Sequence, residues 1–376
     1  MLIRDALSSL ERLVPLSAAG YEKDAIGVQV GFERDAELTK ALVAYEVTSE
    51  VIDEAIEAGA NLIIAYHPLI FPHISALTDA TRTGALLRKL VKADIALYVV
   101  HTAFDAYSEG TSYLMAQALG LKNISALLPQ SGKLDKVVVF VPKASLEQVQ
   151  DAMWQAGAGH IGNYDECSFV TEGTGTFRGN ELSDPAIGKP MVREHVDEYR
   201  LETVSERWKT SRIVRAMIEA HPYEEVAYDI YPLSTNHPSV GMGSVGDLPA
   251  EMSSDKLLSH IRAVFGPDAI RYNKTSKTAY RRLGMVGGAG MEYYASARAS
   301  GVDAFITGDV RYHDFYRAEH DEILLIDAGH AETERFVTSG LASVLQKALK
   351  FVNLTDEVSP NIVVVSHLRP NAVRYY

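Results

Sequence analysis

Three stretches of the chain place a histidine four residues before a carboxylate: His101–Asp105, His221–Glu225 and His330–Glu334. On a helix, residues at that spacing share a face, and an imidazole beside a carboxylate suits a divalent metal. The spacing alone is weak, because 12 histidines and 49 acidic residues in 376 positions give about 1.6 such matches by chance. Two of the three share a context. An apolar run leads into the pair in IALYVVHTAFD (95–105) and again in LLIDAGHAETE (324–334). After the second pair, Arg335–Leu349 repeats apolar residues at helical period, which puts His330 and Glu334 in or near the first turn of a buried helix. The third pair, in HPYEE (221–225), precedes a strand without a counterpart and reads as structural.

His67 ends a further apolar run in AYHPLIF (65–71). Alone, it would most simply be a satisfied core or rim histidine. With two His-x-x-x-acid pairs at comparable strand ends it becomes a candidate ligand. Imidazoles and carboxylates without cysteine fit zinc, iron(II), manganese or cobalt alike.

The elements that position these residues occur twice. Ala41–Glu46 reads as a strand, Ser49–Ala58 as a helix stopped by Gly59, and Asn61–Ala65 as a strand ending at Tyr66-His67. Leu283–Val286, Met291–Ser300, Gly301 and Ala304–Thr307 repeat that order and end at Gly308-Asp309. Aligning Gly59 with Gly301 sets His67 on Asp309 without a gap. A duplicated α/β half follows, whose strand ends would meet at one cleft. Asp309 and His313, in TGDVRYHD, could orient ligands or move protons; a solvated helix start is the plainer reading. Gly284–Gly290 (GMVGGAG) reads as a strand-to-helix junction, either an anion cradle or a tight turn beneath the site, and matches neither a Walker loop nor GxGxxG.

Between the halves the pattern changes. Asn123–Lys133 reads as a linker. Strand Lys136–Val141, helix Leu146–Ala156, strands Ser168–Phe177 and Tyr199–Val204, helix Trp208–Ala220 and strand Val226–Pro232 then suggest a ferredoxin-like α+β domain. The expected organisation is 1–130 and 237–376 for the two parts of an α/β core, with 131–236 inserted. A net charge of −13 without a basic run argues against general nucleic-acid binding. One cysteine, Cys167, excludes an intrachain disulfide and argues against a thiolate cluster. The N-terminus lacks signal-peptide character, and no apolar run approaches the roughly 20 residues of a membrane span. A cytoplasmic protein is expected.

Taken together, AYHPLIF, HTAFD, GGAG, TGDVRYHD and DAGHAETE resemble the NIF-three-like dinuclear metal-centre family, the GTP cyclohydrolase I type 2 homologues, over essentially the whole chain. The inserted VVFVPK, GAGHIGNYDECSF, TEGTGTF and HPYEEVAYDIYPL resemble the PII/CutA-like domain of its longer members. The resemblance implies a toroidal homohexamer and two metals in a cleft. Carried over, the ligands are His67, Asp105, His330 and Glu334, with His101 close to the metals. Tyr66 departs from the pattern, standing where the family has a histidine. A phenol, with an ordinary pKa near 10, is a poor ligand, so one or two divalent metals (zinc, iron or manganese) are expected per chain. The implied chemistry is hydrolysis by metal-activated water, with His101 or His313 passing protons, on a nucleotide-like or phosphorylated small molecule. The alternative is a non-catalytic metal-trafficking or regulatory ring whose insert docks partners or senses a signal.

Overall fold

The computed structural model describes residues 1–21, 23–350, 361–368 and 371–374. They form two units, Met1–Pro129 with Ser239–Tyr376, and Gln130–Pro238.

The first unit begins with strands β1 (Gly27–Val30), β2 (Ala41–Ala44), β3 (Leu62–Ala65) and β4 (Ala96–Val99). Every residue of β2, β3 and β4 is buried, as parallel strands covered on both faces should be. β2 pairs with β3 and β3 with β4 in parallel, while β1 runs antiparallel beside β4. The crossover helices carry their own punctuation. Thr48 Oγ1 accepts from Val51 N at the start of Ser49–Ala58, and Gly59 ends that helix at φ 69°. Thr81 caps Arg82–Lys92 in the same way. The stretch then enters β5 (Lys122–Pro129).

The second unit holds β6 (Leu134–Pro142), β7 (Ser168–Arg178), β8 (Arg193–Glu206) and β9 (Tyr228–Leu233). They form an antiparallel sheet in the order β7-β8-β6-β9. Alternate β6 residues Val137, Val139 and Val141 pack with Val149 and Met153 of helix Leu146–Gln155 and Ile213 and Met217 of helix Arg207–Ala220.

The first unit resumes with β10 (Gly241–Met252), β11 (Arg271–Tyr272), β12 (Tyr280–Ala289), β13 (Ala304–Gly308) and β14 (Leu324–Asp327). Here β12, β13 and β14 are parallel, β10 runs antiparallel to β12, and β5 lies beyond β10. Strand β15 (Val363–Val365) returns to the first sheet and pairs in parallel with β2.

Two expectations need correction. Asn123–Lys133 is not a linker: as far as Pro129 it is strand β5, paired to β10 from Lys122↔Asp247 to Gly241↔Pro129. The strand is mostly exposed and gains its order from backbone pairing, which leaves little trace in side-chain pattern. Nor is Gly284–Gly290 a junction loop. β12 runs on to Ala289, and a 3₁₀ turn at Met291–Tyr293 precedes the helix Tyr294–Ala299. His330 begins a separate single turn, His330–Thr333, ahead of helix Val337–Lys350.

Candidate metal centre

The carboxyl ends of four parallel strands deliver the histidines and their partners. Tyr66-His67 follows β3, His101 follows β4, Asp309 follows β13, and His330 follows β14 after a Gly329 turn at φ 89°. Asp309 (φ 54°) and His101 (φ 34°) hold left-handed backbone that favours glycine, a strain typical of functional sites.

Each imidazole has a carboxylate on Nδ1. His330 Nδ1 meets Asp309 Oδ2 at 2.7 Å, His101 Nδ1 meets Asp24 Oδ1 at 2.8 Å, and His67 Nδ1 lies 3.3 Å from Glu46 Oε2. Asp24 is fixed in turn by Thr102, whose Oγ1 donates at 2.6 Å. An Nδ1–H given to a carboxylate leaves Nε2 as the coordinating nitrogen. The Nε2 atoms of His67 and His330 approach Glu334 Oε2 to 3.7 and 3.3 Å. His67, His330 and Glu334 therefore offer donor atoms all within 4.8 Å of one another, a group that could hold a metal ion. The His101 ring lies 5.7 Å and the His330 ring 5.8 Å from that of His67.

Glu334 is 4% exposed. Its Oε2 accepts from Tyr45 Oη at 2.6 Å, and Tyr66 Oη donates to Asp105 Oδ1 at 2.7 Å while lying 3.3 Å from Glu334 Oε1. Burial, then the adjacent carboxylates, raise both phenols far above their ordinary range, so they remain neutral donors. Burial and the Glu334 charge push Asp105 up to about 6, against the hydrogen bond from Tyr66 and the charge of His101. Burial opposes charge on His330, but Glu334 and Asp309 outweigh it and raise the imidazole to about 10. The same balance lowers Glu334, where His330 overcomes burial, and Asp24 raises His101 against its burial. The buried Glu334 carboxylate and the inward-turned nitrogens of His67 and His330 form a donor set that fits a divalent cation.

The glycines of β12 make room for this group. A Cβ on Gly288 (φ 62°) would sit 2.4 Å from Glu334 Oε1 and 3.0 Å from His330 Nε2. Asp105 reaches the group through Tyr66. His313 is exposed on helix Tyr312–His320 and stacks edge-on against Tyr312, 5.4 Å away; it makes no hydrogen bond to Asp309 or His330 among the described residues. Asp24, Glu46 and Tyr45 were not foreseen from sequence. His101 and Asp24 are 77 positions apart, and no local pattern links them. His221 is committed elsewhere: Nε2 bonds Phe140 O at 3.0 Å, Nδ1 accepts from Tyr223 N at 3.1 Å, and burial lowers its pKa.

Comparison with known proteins gives a consistent result. The profile of the Duf34/NIF3 (NGG1p interacting factor 3) family matches residues 1–362. The chain is 40% identical over 349 residues to a GTP cyclohydrolase 1 type 2 homolog of Halalkalibacterium halodurans, covering 93% of each. It is 36% identical over 333 residues to the protein of that name in Bacillus subtilis, covering 87% of this chain and 88% of the other. A Bacillus cereus protein related to NIF3 superposes with a TM-score of 0.86 at 35% identity, over 99% of this chain and 98% of that one. Staphylococcus aureus protein SA1388 gives 0.77 at 29% identity, over 100% and 99%.

Proposed function

The chain belongs to the Duf34/NIF3 family, and on that premise we propose a metal-dependent hydrolase acting on a nucleotide-like or phosphorylated small molecule. The observation that supports it is the set of three histidines, each with Nδ1 on a carboxylate, an orientation typical of metal-ligating imidazoles. His67, His330 and Glu334 would hold a divalent ion, with Asp105 completing the set, and the donors suit zinc, iron or manganese. When bound, such an ion polarises a phosphoryl or carbonyl oxygen and provides a nucleophile at neutral pH without Ser or Cys chemistry.

The side chains divide the remaining work. Asp309 and Glu46 fix the rings of His330 and His67. His101, oriented by Asp24 and within a ring's reach of His67, is the better-placed residue to accept or return a proton; His313, on its exposed helix, is the second candidate. The centre is rich in carboxylates, so a phosphorylated substrate depends on the cation for charge neutralisation. In the same reading, the parallel trios β2–β4 and β12–β14 are duplicated halves, residues 131–236 form the inserted ferredoxin-like, PII/CutA-like domain, and the chain assembles as a homohexamer in the cytoplasm.

One observation favours a second reading, a metal-binding or regulatory protein without turnover: a cavity of about 900 Å³ lies entirely among second-unit residues and includes none of the candidate ligands. A panel of nucleotides and phosphate esters, incubated with metal-loaded protein and with Asp105→Ala, separates the two. Hydrolysis that disappears with Asp105→Ala supports the hydrolase. Metal that exchanges freely, with no substrate of the panel consumed, supports the second reading.

A further inference from the structure

The glycine-broken motif TEGTGTF shapes that second-unit cavity. Gly173 and Gly175 alternate along β7 on the face shared with Glu198 of β8, and Gly173 pairs directly with Glu198. A Cβ at Gly175 would stand 2.0 Å from Glu198 Oε2, so the carboxylate lies over bare backbone there. At Gly173 a Cβ would meet nothing within 4 Å, which leaves the neighbouring floor open.

Glu198 lines the cavity, yet it is 6% exposed. Its Oε1 accepts from Tyr223 Oη at 2.9 Å, while Oε2 has no hydrogen-bond partner among the described residues. That oxygen keeps free lone pairs for a donor that enters the cavity. Phe140, Phe177 and Tyr223 supply the walls, the last two packed edge to face at 5.9 Å.

Each arginine of the cavity makes a hydrogen bond through Nε. Arg200 Nε donates to Glu202 Oε1 at 2.7 Å, and Arg178 Nε to Met191 O at 3.0 Å. Of the acids, Glu224 accepts from Asp184 N, whereas Glu225 has no partner among the described residues. The lining carries four carboxylates, Glu172, Glu198, Glu224 and Glu225, against two arginines, so its formal charge is negative. A carboxylate with free lone pairs matches the paired N–H donors of an amidinium or guanidinium, and aromatic walls favour a cation with a flat apolar body.

We propose that the second unit binds a small organic cation of the amidinium or guanidinium class, anchored by Glu198 and lying on the open backbone at Gly173. The inference is independent of the metal centre and stands or falls without it.

Calorimetric titration of the full chain with benzamidine and with agmatine tests it, with benzamide as the neutral isostere of the first. Saturable binding of at least one cation is expected, with benzamide at least tenfold weaker than benzamidine. Glu198→Gln should weaken the cation at least tenfold. Gly173→Leu should abolish its binding by filling the floor; because that position is open, the variant should keep the wild-type circular dichroism and melting temperature. Failure of both cations to bind at millimolar concentration, equal binding of benzamide and benzamidine, or binding unaffected by Gly173→Leu in a folded variant would each overturn the proposal.

Discussion

Tyr66 gives its phenolic hydrogen to Asp105 at 2.7 Å, and its oxygen lies 3.3 Å from Glu334 on the other side. One neutral side chain thus spans the half-buried Asp105 and the buried Glu334 at the position where the resembled family has a histidine. It takes up a carboxylate lone pair and returns no coordinating nitrogen. The neighbouring charges that keep the phenol protonated are those a second cation would need.

One tightly held divalent ion per chain is therefore expected, with a second that is weak or lost on dialysis. Tyr66→His should raise the retained metal towards two, and Asp105→Ala should lower affinity throughout. Elemental analysis after exhaustive dialysis measures both. Two tight ions in the unmodified protein, unchanged by Tyr66→His, would contradict this account of the substitution.

Asp309 is a positioning residue, tested by its effect on metal affinity. Asp309→Ala removes the acceptor on His330 Nδ1 and should weaken metal binding about 10–100-fold. Asp309→Asn keeps an acceptor and tolerates the left-handed backbone, so it should recover most of the loss. Competition against a chelating dye gives the affinities. Equal loss in both variants would show that the carboxylate's charge, not its orientation of the ring, is what matters.

A pH test falls on the second unit, where Lys209 Nζ lies 2.5 Å from Glu206 Oε2 and His237 Nε2 3.2 Å from Oε1. Burial alone would raise Glu206, but His237 and Lys209 outweigh it and lower the carboxyl to about 2. A depressed carboxyl contributes its full stability above the unfolded value near 4.5 and loses it as pH falls towards 2. Both tryptophans of the chain, Trp154 and Trp208, lie in this unit, so their fluorescence reports its unfolding. The denaturation midpoint should decline across that window, and Glu206→Gln should make the decline shallower. An unchanged slope would remove Glu206 from the account.

Removal of residues 131–236 with a short linker should leave a folded chain that retains metal. Gln130 O accepts from His237 N at 2.8 Å, so the cut ends lie side by side. Size-exclusion chromatography and metal analysis decide it. An insoluble product, or one stripped of metal, would mean that the excised segment belongs to the core.

What the sequence made legible was local. Helix Ser49–Ala58 was readable at both ends because Thr48 and Gly59 are neighbours of the residues they terminate. Strands β3, β4, β13 and β14 announced themselves as short apolar runs, and three of those runs led to histidines that the structure gathers. β5 was not readable, since its order comes from β10, more than a hundred positions away. The carboxylates Asp24 and Glu46 escaped notice for the same reason: nothing beside them in the chain marks them as partners of His101 and His67. Asp309 could be suspected only because the repeat aligned it with His67.

Strand β15 has a consequence for the order in which the protein can be completed. Some 320 residues separate Ala44 of β2 from Val363 of β15. At roughly 5–20 residues per second, synthesis leaves that flank of β2 uncapped for about 16–64 seconds. During that interval the nascent chain carries a row of unanswered amide and carbonyl groups beside a wholly buried apolar strand, the kind of template that recruits foreign strands. A strand made late thus protects one made early, and a message truncated before residue 363 would yield a chain needing a chaperone to stay in solution.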